Sequence, residues 1–132
     1  MNPVISVTAG ILQNQGRVLA AKRGPGDSLA GLWEFPGGKT KHGETLGQCL
    51  VRELREELGI RVMEYSPFDE SYYEYGIKRI HLFAYTVDRY AGAPSALVHE
   101  EIEWITVANI AGYKFAPADV PFVRRLENRR NR

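Results

Sequence analysis

The chain has 132 residues, a formal net charge of +1 and an ordinary globular composition, with 44% hydrophobic and 25% charged residues. This length suits one domain with its own core, and the near-neutral charge argues against an electrostatic nucleic-acid binder. A single cysteine, Cys49, excludes a disulfide within the chain and is typical of a reducing compartment. No stretch predicts a signal peptide or a bilayer-spanning helix, so we expect a cytoplasmic protein without a membrane partner.

The first part of the chain predicts a β-hairpin followed by loops. Segments 4–12 and 18–23 are rich in β-branched and aliphatic residues and are joined by the turn QNQGR. A glycine-rich loop follows at 24–31, and a short strand is expected at 32–35. The segment PGGKTKHGE, residues 36–44, is expected to be irregular.

A helix is predicted from residue 45 to residue 59, with both ends marked. Thr45 and Gln48 form a capping-box pattern, and Gly59 stands where a left-handed C-cap is expected. Leucines recur at every fourth residue, which is the stripe of a helix packed on a core. They are Leu46, Leu50, Leu54 and Leu58.

The second half of the chain predicts further strands and a closing helix. Strands are expected at 61–65, 68–75, 77–88 and 102–107. The helix is expected from Pro117 to about Glu127, with Phe122, Val123 and Leu126 on its apolar face. The arginine-rich segment after it, RRLENRRNR, is interpreted as a frayed tail rather than a nucleic-acid contact. One helix mid-chain and one at the end, with a mixed sheet, indicate an α/β layered domain that spans residues 1–132.

Three carboxylates crowd one edge of the central helix. Glu53, Glu56 and Glu57 share one face, because a helix turns about 100° per residue, and like charges at this spacing repel by roughly 0.2–0.5 kcal/mol per pair. A solvated charged face, supported by Arg52 and Arg55, is the ordinary interpretation. The alternative is a site for a hard divalent cation, because Mg²⁺ and Mn²⁺ prefer oxygen ligands.

The segment before the helix adds two glycines where a backbone can approach a ligand closely. The sequence GGKT, residues 37–40, resembles the end of a P-loop. A P-loop would need a glycine where this chain has Trp33, so that interpretation fails.

From Gly38 to Ile60 the chain matches the pattern GX5EX7REUXEEXGU at every fixed position. It therefore resembles the Nudix hydrolase family. The segments GLWEFPGGK and FAPADVPFV are similar to MutT-type members, and RIHLFAY is similar to the CTP pyrophosphohydrolase branch. The resemblance implies an α/β/α sandwich with a mixed β-sheet between helices. It also implies hydrolysis of a nucleoside diphosphate linked to another group, which in MutT-like members is a nucleoside triphosphate cut to a monophosphate and pyrophosphate.

The resemblance also assigns residues to the metal and phosphate chemistry. It implies that Mg²⁺, or Mn²⁺ in its place, is bound by three carboxylates and a glycine carbonyl. These ligands are Glu53, Glu56 and Glu57, with Gly37 or Gly38. Glu44 would assist them and Arg52 would orient a glutamate, whereas Arg23 and Lys39 are candidates for phosphate contacts.

Further candidates concern the nucleobase and a missing acid. Asp119 corresponds to the position that reads the base edge in MutT-type pockets, and a helix N-cap is the alternative for it. Phe35 is a candidate for stacking on the base, as are Phe83 and Tyr85, although core packing is the commoner role of such rings.

MutT-like enzymes often carry an acid where this chain has Val98. Glu100 is the chosen replacement, with Glu101 as second choice, and His99 is interpreted as a loop residue rather than a base.

The expected substrate is an oxidised or non-standard nucleotide such as 8-oxo-dGTP, or CTP and its dCTP relatives. Another Nudix substrate, such as ADP-ribose or a dinucleotide polyphosphate, is one alternative. The other is a module that binds nucleotides without hydrolysis, although such modules usually lose box glutamates that this chain keeps. We expect a monomer or homodimer without a stable nucleic-acid partner.

Overall fold

A computed structural model of the chain describes residues 3–130. Its sheet contains the strands β1 (Val4–Asn14), β2 (Arg17–Lys22), β3 (Trp33–Glu34), β4 (Gly37–Lys39), β5 (Arg61–Tyr75), β6 (Lys78–Ala91) and β7 (Glu101–Thr106). The helices are α1 (Leu46–Leu58) and α2 (Val120–Arg130), and 3₁₀ turns cover Val107–Gly112 and Pro117–Asp119.

Strand β1 is the centre of a mixed sheet. It runs parallel to β6, with Val4 opposite Arg79 and Leu12 opposite Val87. It pairs antiparallel with β4 along one part and with β2 at its far end. Strands β5 and β7 extend the sheet by antiparallel pairing with β6 and β2. The mixed sheet expected from the sequence is confirmed.

The two helices lie against opposite faces of this sheet, because side chains alternate along each strand. One core cluster contains three of the four leucines of the predicted α1 stripe, whereas Leu46 is only partly buried and lies outside it. The cluster includes Leu50, Leu54, Leu58, Leu12, Leu19 and Val87. The other contains the apolar face of α2 and includes Phe122, Val123, Leu126, Ile11, Val18 and Leu82. The architecture is the expected α/β/α sandwich.

Segment 36–44 is more regular than the sequence predicts, because Gly37–Lys39 forms β4. Glycine allows this pairing at very close range: a Cβ at Gly37 would overlap the carbonyl group of Thr8 on β1. The composition indicated a loop, whereas Gly37 allows a close approach between two strands and Gly38 leaves space for Glu53 of α1.

The strands predicted at 61–65 and 68–75 are one strand, β5. Its pairing with β6 shifts register near Glu64 and again between Pro67 and Asp69. A proline has no N–H to donate to the ladder and is tolerated at such bulges, which is why the sequence indicated a break there.

The ends of α1 follow the prediction. Thr45 and Gln48 form the complete capping box, and Gly59 closes the helix in the left-handed region at φ 73°. Backbone N–H groups of Ser95 and Leu97 donate to the last carbonyls of the helix.

The closing helix starts with the 3₁₀ turn Pro117–Asp119 and continues as α2 beyond its expected end at Glu127. Residues 131–132 of the arginine-rich tail lie outside the described part of the chain. Within residues 3–130, no helix is long and apolar enough to cross a bilayer.

Candidate functional site

A cavity of about 360 Å³ opens beside β4 and contains most of the predicted site residues. We call Gly37, Gly38 and Glu57 its glutamate end, and Phe35, Ala118 and Asp119 its aspartate end. Other predicted residues in the lining are Arg23 and Lys39, and Val98, the position of the missing acid, also lines it. The polar lining residues that the sequence interpretation missed include Glu34, Tyr73 and Lys78.

Arg52 holds the acidic residues around the glutamate end. Its Nε lies 2.7 Å from Glu44 Oε2, and its Nη1 lies 2.7 Å from Glu53 Oε1 and 3.2 Å from Glu56 Oε2. Its Nη2 donates to the carbonyl oxygen of Lys39 at 3.0 Å. The hydrogen bond from Arg52 lowers the pKa of Glu44 to about 2. A planar guanidinium with several donors can hold these partners at once, which an ammonium group cannot.

Glu57 projects into the cavity from the last turn of α1. Its Oε1 accepts a hydrogen bond from the backbone N–H of Gly37 at 3.0 Å. Burial raises the pKa of Glu57 to about 7, and the nearby Glu34 and Glu53 act in the same direction. A buried carboxylate beside other acids is therefore costly to ionise unless a positive partner is present.

Gly38 brings the backbone against the glutamates. A Cβ at this position would overlap the carboxylate of Glu53, so only glycine leaves that space free. The carbonyl oxygen of Gly38 accepts from Cys49 Sγ at 3.3 Å and from Thr8 Oγ1 at 3.4 Å. The buried Cys49 thus packs as a small side chain that also supports this carbonyl.

The donor set of the glutamate end fits a hard divalent cation. Glu53, Glu56 and Glu57 supply carboxylate oxygens from one rigid helix, and the glycine backbone supplies carbonyl oxygens beside them. In the described arrangement Arg52 pairs with Glu53 and Glu56, and no three acidic, histidine or cysteine side chains of residues 3–130 converge closely enough to hold an ion. Metal binding therefore requires these side chains to turn from Arg52 toward the ion.

Asp119 is buried at the opposite end, with 4% of its surface exposed. The backbone N–H of Phe35 donates to its carboxyl group, whereas its Oδ1 has no hydrogen-bond partner within the described chain. Burial raises the pKa of Asp119 well above its ordinary value, and the nearby Glu34 adds to this effect. Its carboxyl group caps neither the 3₁₀ turn Pro117–Asp119 nor α2 by any hydrogen bond that the structure shows.

A chain of polar contacts lies between the two ends. Arg23 Nη1 lies 3.0 Å from Glu34 Oε1, and His99 Nε2 lies 2.8 Å from Glu34 Oε2. Arg23 also forms an ion pair with Asp27. Arg23 is therefore engaged by two carboxylates and would have to exchange partners in order to contact a phosphate.

The comparisons with known proteins agree with the geometry of this cavity. The family description "NUDIX domain" matches residues 7–125. The chain belongs to the Nudix family. The CTP pyrophosphohydrolase of Escherichia coli (strain K12) is 40% identical over 122 residues, which cover 91% of this chain and 89% of that protein. The 8-oxo-dGTP diphosphatase of the same strain is 33% identical over 124 residues, which cover 93% of this chain and 96% of that protein.

Solved structures place this Nudix chain in the same group. The solution structure of the E. coli ORF135 protein has a TM-score of 0.86 and 37% identity, and the match covers 96% of this chain and 91% of that one. A MutT structure from work on Aliivibrio salmonicida and Vibrio cholerae has a TM-score of 0.80 and 32% identity, covering 94% and 97%. The chain is a MutT-like Nudix hydrolase, and hydrolases of this family generally need a divalent metal ion.

Some residues predicted for this Nudix site lie elsewhere. Glu100 and Glu101 are outside the lining of the cavity and lie 3.9 and 4.0 Å from Lys22 Nζ. The rings of Phe83 and Tyr85 are also outside it and line a separate groove on the α1 face of the sheet. Phe35 does line the cavity and packs on Phe115, with 5.2 Å between ring centroids.

His99 lines the cavity next to Val98, the position where an acid was expected. Its side chain is only 4% exposed, although it comes from a loop. A loop gives no hydrophobic periodicity from which a buried side chain can be recognised, so the sequence interpretation treated His99 as a surface residue.

Proposed function

We propose that this chain is a Mg²⁺-dependent nucleoside triphosphate pyrophosphohydrolase that removes non-standard or cytidine-type nucleotides. In this reaction water adds to a phosphorus atom of the triphosphate, one phosphoanhydride bond breaks, and pyrophosphate leaves the nucleoside monophosphate. The observation that carries the proposal is one cavity with two different ends. At one end Glu57 and the glycine backbone line the cavity, with Glu53 directly beside Gly38, and at the other end the buried Asp119 has one oxygen without a partner among the described residues.

In this proposal the glutamate end binds the metal and the phosphates. Glu53, Glu56 and Glu57 hold Mg²⁺ together with a carbonyl of Gly37 or Gly38. When bound, the cation neutralises phosphate charge and lowers the pKa of the attacking water. Lys39 faces the same space and supplies a positive charge for the phosphate oxygens.

Arg52 and Glu44 have a supporting role in the proposed site. Arg52 holds Glu53 and Glu56 next to the site until they turn toward the ion, and Glu44 fixes Arg52 through two hydrogen bonds of 2.7 and 3.0 Å. Partners of this kind around metal ligands typically contribute 10–100-fold in affinity or activity, as an order of magnitude. Glu100 is not part of the proposed set, because its carboxylate lies near Lys22 rather than in the cavity.

Asp119 is proposed to read the base. Its raised pKa favours the neutral acid, which donates one hydrogen bond and accepts another. Cytosine offers the matching pair, with N3 as acceptor and the N4 amino group as donor. The oxidised guanine of 8-oxo-dGTP also offers such a pair, because O6 accepts and N7–H donates. On the same edge unmodified guanine presents two acceptors, N7 and O6, and does not match. Its other edge, with O6 and N1–H, does match, so selection against GTP requires that Asp119 faces the N7 edge.

The names of the relatives support both substrate classes, since one is a CTP pyrophosphohydrolase and another an 8-oxo-dGTP diphosphatase. Phe35 is proposed as one wall against the base plane, because it lines the cavity beside Asp119. The hairpin residues Tyr73 and Lys78 form the outer wall and are expected to limit the size of the base.

The test is pyrophosphate release from CTP, dCTP, 8-oxo-dGTP, GTP and ADP-ribose, with Mg²⁺ present and then chelated. We expect release from the first three, at least ~10-fold less from GTP because its acceptors leave the acid unmatched, and none without metal. Turnover of ADP-ribose alone would refute the substrate class. Tight nucleotide binding without any turnover would instead indicate a non-hydrolysing module.

A further inference from the structure

The loop that carries His99 is anchored at both of its ends. Backbone N–H groups of Ser95 and Leu97 donate to the carbonyl oxygens of Leu58 and Glu57 at 2.9 and 3.2 Å. The N–H of Glu100 donates to the carbonyl oxygen of Lys22 at 3.0 Å. The loop therefore joins the C-terminal end of α1 to β2, and His99 is held between these two elements.

The side chain of His99 is built into the cavity wall rather than left in solvent. Its Nε2 lies 2.8 Å from Glu34 Oε2, and the other carboxylate oxygen of Glu34 accepts from Arg23. Its Nδ1 is buried and has no hydrogen-bond partner among the described residues. An imidazole with one partner of opposite charge and one unpaired nitrogen is costly to bury, which argues for a role beyond packing.

Three charged groups surround the ring from different elements. Glu34 comes from β3, Glu57 from α1, and Arg23 from the end of β2. Burial disfavours the charged imidazole, but the hydrogen bond to Glu34 and the nearby Glu57 outweigh it, so the pKa of His99 is raised. The charged imidazole is therefore attracted by both Glu34 and Glu57, which repel each other.

We propose that His99 is a positioning residue that fixes the carboxylate of Glu34 beside the aspartate end and thereby sets the affinity for the nucleobase. The inference rests on the proposed function. Glu34 is followed by Phe35, whose backbone N–H donates to Asp119. The negative charge of Glu34 also raises the pKa of Asp119. A Glu34 side chain held at both oxygens keeps this environment constant, whereas one held only by Arg23 can change its rotamer and leave this position.

The kinetic test compares His99→Leu with His99→Gln. Leucine removes the donor to Glu34 at similar volume, and we expect KM for CTP to rise about 10-fold, with kcat within about threefold. Glutamine retains an N–H donor and is expected to recover part of the loss. In a Glu34→Gln background, His99→Leu should raise KM for CTP by less than about twofold, because the effects of two residues that act through one contact are not additive.

His42→Leu, at an exposed histidine before α1, is the control for loss of a histidine. It should leave KM and kcat unchanged. A fall in kcat with unchanged KM, or full additivity with Glu34→Gln, would show that His99 does not act through Glu34.

A second measurement does not depend on turnover. In ¹⁵N–¹H spectra of the histidine side chains, the Nε2–H signal of His99 should shift on Glu34→Gln, whereas those of His42 and His81 should not. An unchanged His99 signal in this folded variant would overturn the proposal even if the enzyme is active. If the His99 signal shifts but the protein hydrolyses no nucleotide, the contact between His99 and Glu34 stands and only the proposed function is refuted.

Discussion

The two ends of the cavity use buried carboxyl groups in different ways. At the glutamate end, Glu57 accepts an N–H from Gly37 and stands beside other acids. At the aspartate end, Asp119 accepts an N–H from Phe35, and its second oxygen is unpaired within residues 3–130. Burial raises both pKa values. Clustered acids on one helix suit a cation, whereas a buried neutral acid suits a hydrogen-bond partner. This difference matches the division between phosphate chemistry and base recognition that we propose for the two ends.

The largest expected effect comes from Glu57→Gln, which removes one carboxylate of the glutamate end. A metal ligand contributes several kcal/mol, so we expect kcat/KM to fall about 10³-fold or more while the hydrogen bond from Gly37 is retained. Nucleotide binding at the aspartate end should change little. Glu74→Gln, at an exposed position on β5, is the control. Full activity of Glu57→Gln would show that the metal is bound elsewhere.

The same variant also tests the pKa of Glu57. Because burial raises it from 4.5 to about 7, the folded protein binds more protons than the unfolded chain between these values. Metal-free wild type should therefore lose about 2–3 kcal/mol more stability than Glu57→Gln as the pH rises through this window, because the raised pKa values of Asp119 and His99 act in both proteins. Denaturant unfolding at pH 5 and pH 8 measures the difference. Parallel curves of unfolding free energy against pH for the two proteins would contradict the raised pKa of Glu57.

The glutamate end could be recognised from the sequence, but the contacts between the two ends could not. The leucine period, Thr45 and Gly59 identify α1 from local rules, and the carboxylates follow from their spacing on it. The structural features that the sequence did not predict depend on tertiary contacts. β4 exists because its glycines fit against Thr8, and His99 is buried because its loop binds the end of α1.

Arg52→Lys should have the next largest effect. Lysine keeps the charge but cannot donate to Glu44, Glu53 and Glu56 in the geometry of a guanidinium. We expect a loss of about 10–100-fold in kcat/KM, with a higher Mg²⁺ concentration needed for half-maximal rate. Arg55→Lys on the exposed side of α1 is the matched control. An unchanged Mg²⁺ requirement would mean that Arg52 does not orient the metal ligands.

Substitutions of Asp119 separate the aspartate end from the glutamate end. Asp119→Leu removes both the donor and the acceptor, and we expect KM for CTP and 8-oxo-dGTP to rise about 10-fold with an unchanged Mg²⁺ requirement. Asp119→Asn keeps a donor and an acceptor and should retain activity on both substrates. A loss of kcat with unchanged KM in both variants would show that Asp119 does not read the base.

The smallest effect tests whether the rigidity of α1 matters separately from its glutamates. Thr45 is exposed, and its hydroxyl accepts from the backbone N–H of Gln48 at 3.1 Å, so Thr45→Ala removes only the cap. We expect a loss of about 1 kcal/mol in unfolding free energy, while Thr45→Ser retains it. Because the tertiary packing of Leu50, Leu54 and Leu58 stabilises the helix, kcat/KM should stay within about twofold well below the melting temperature. A larger fall in activity, with base selectivity intact, would show that the first turn of α1 also positions the glutamate end.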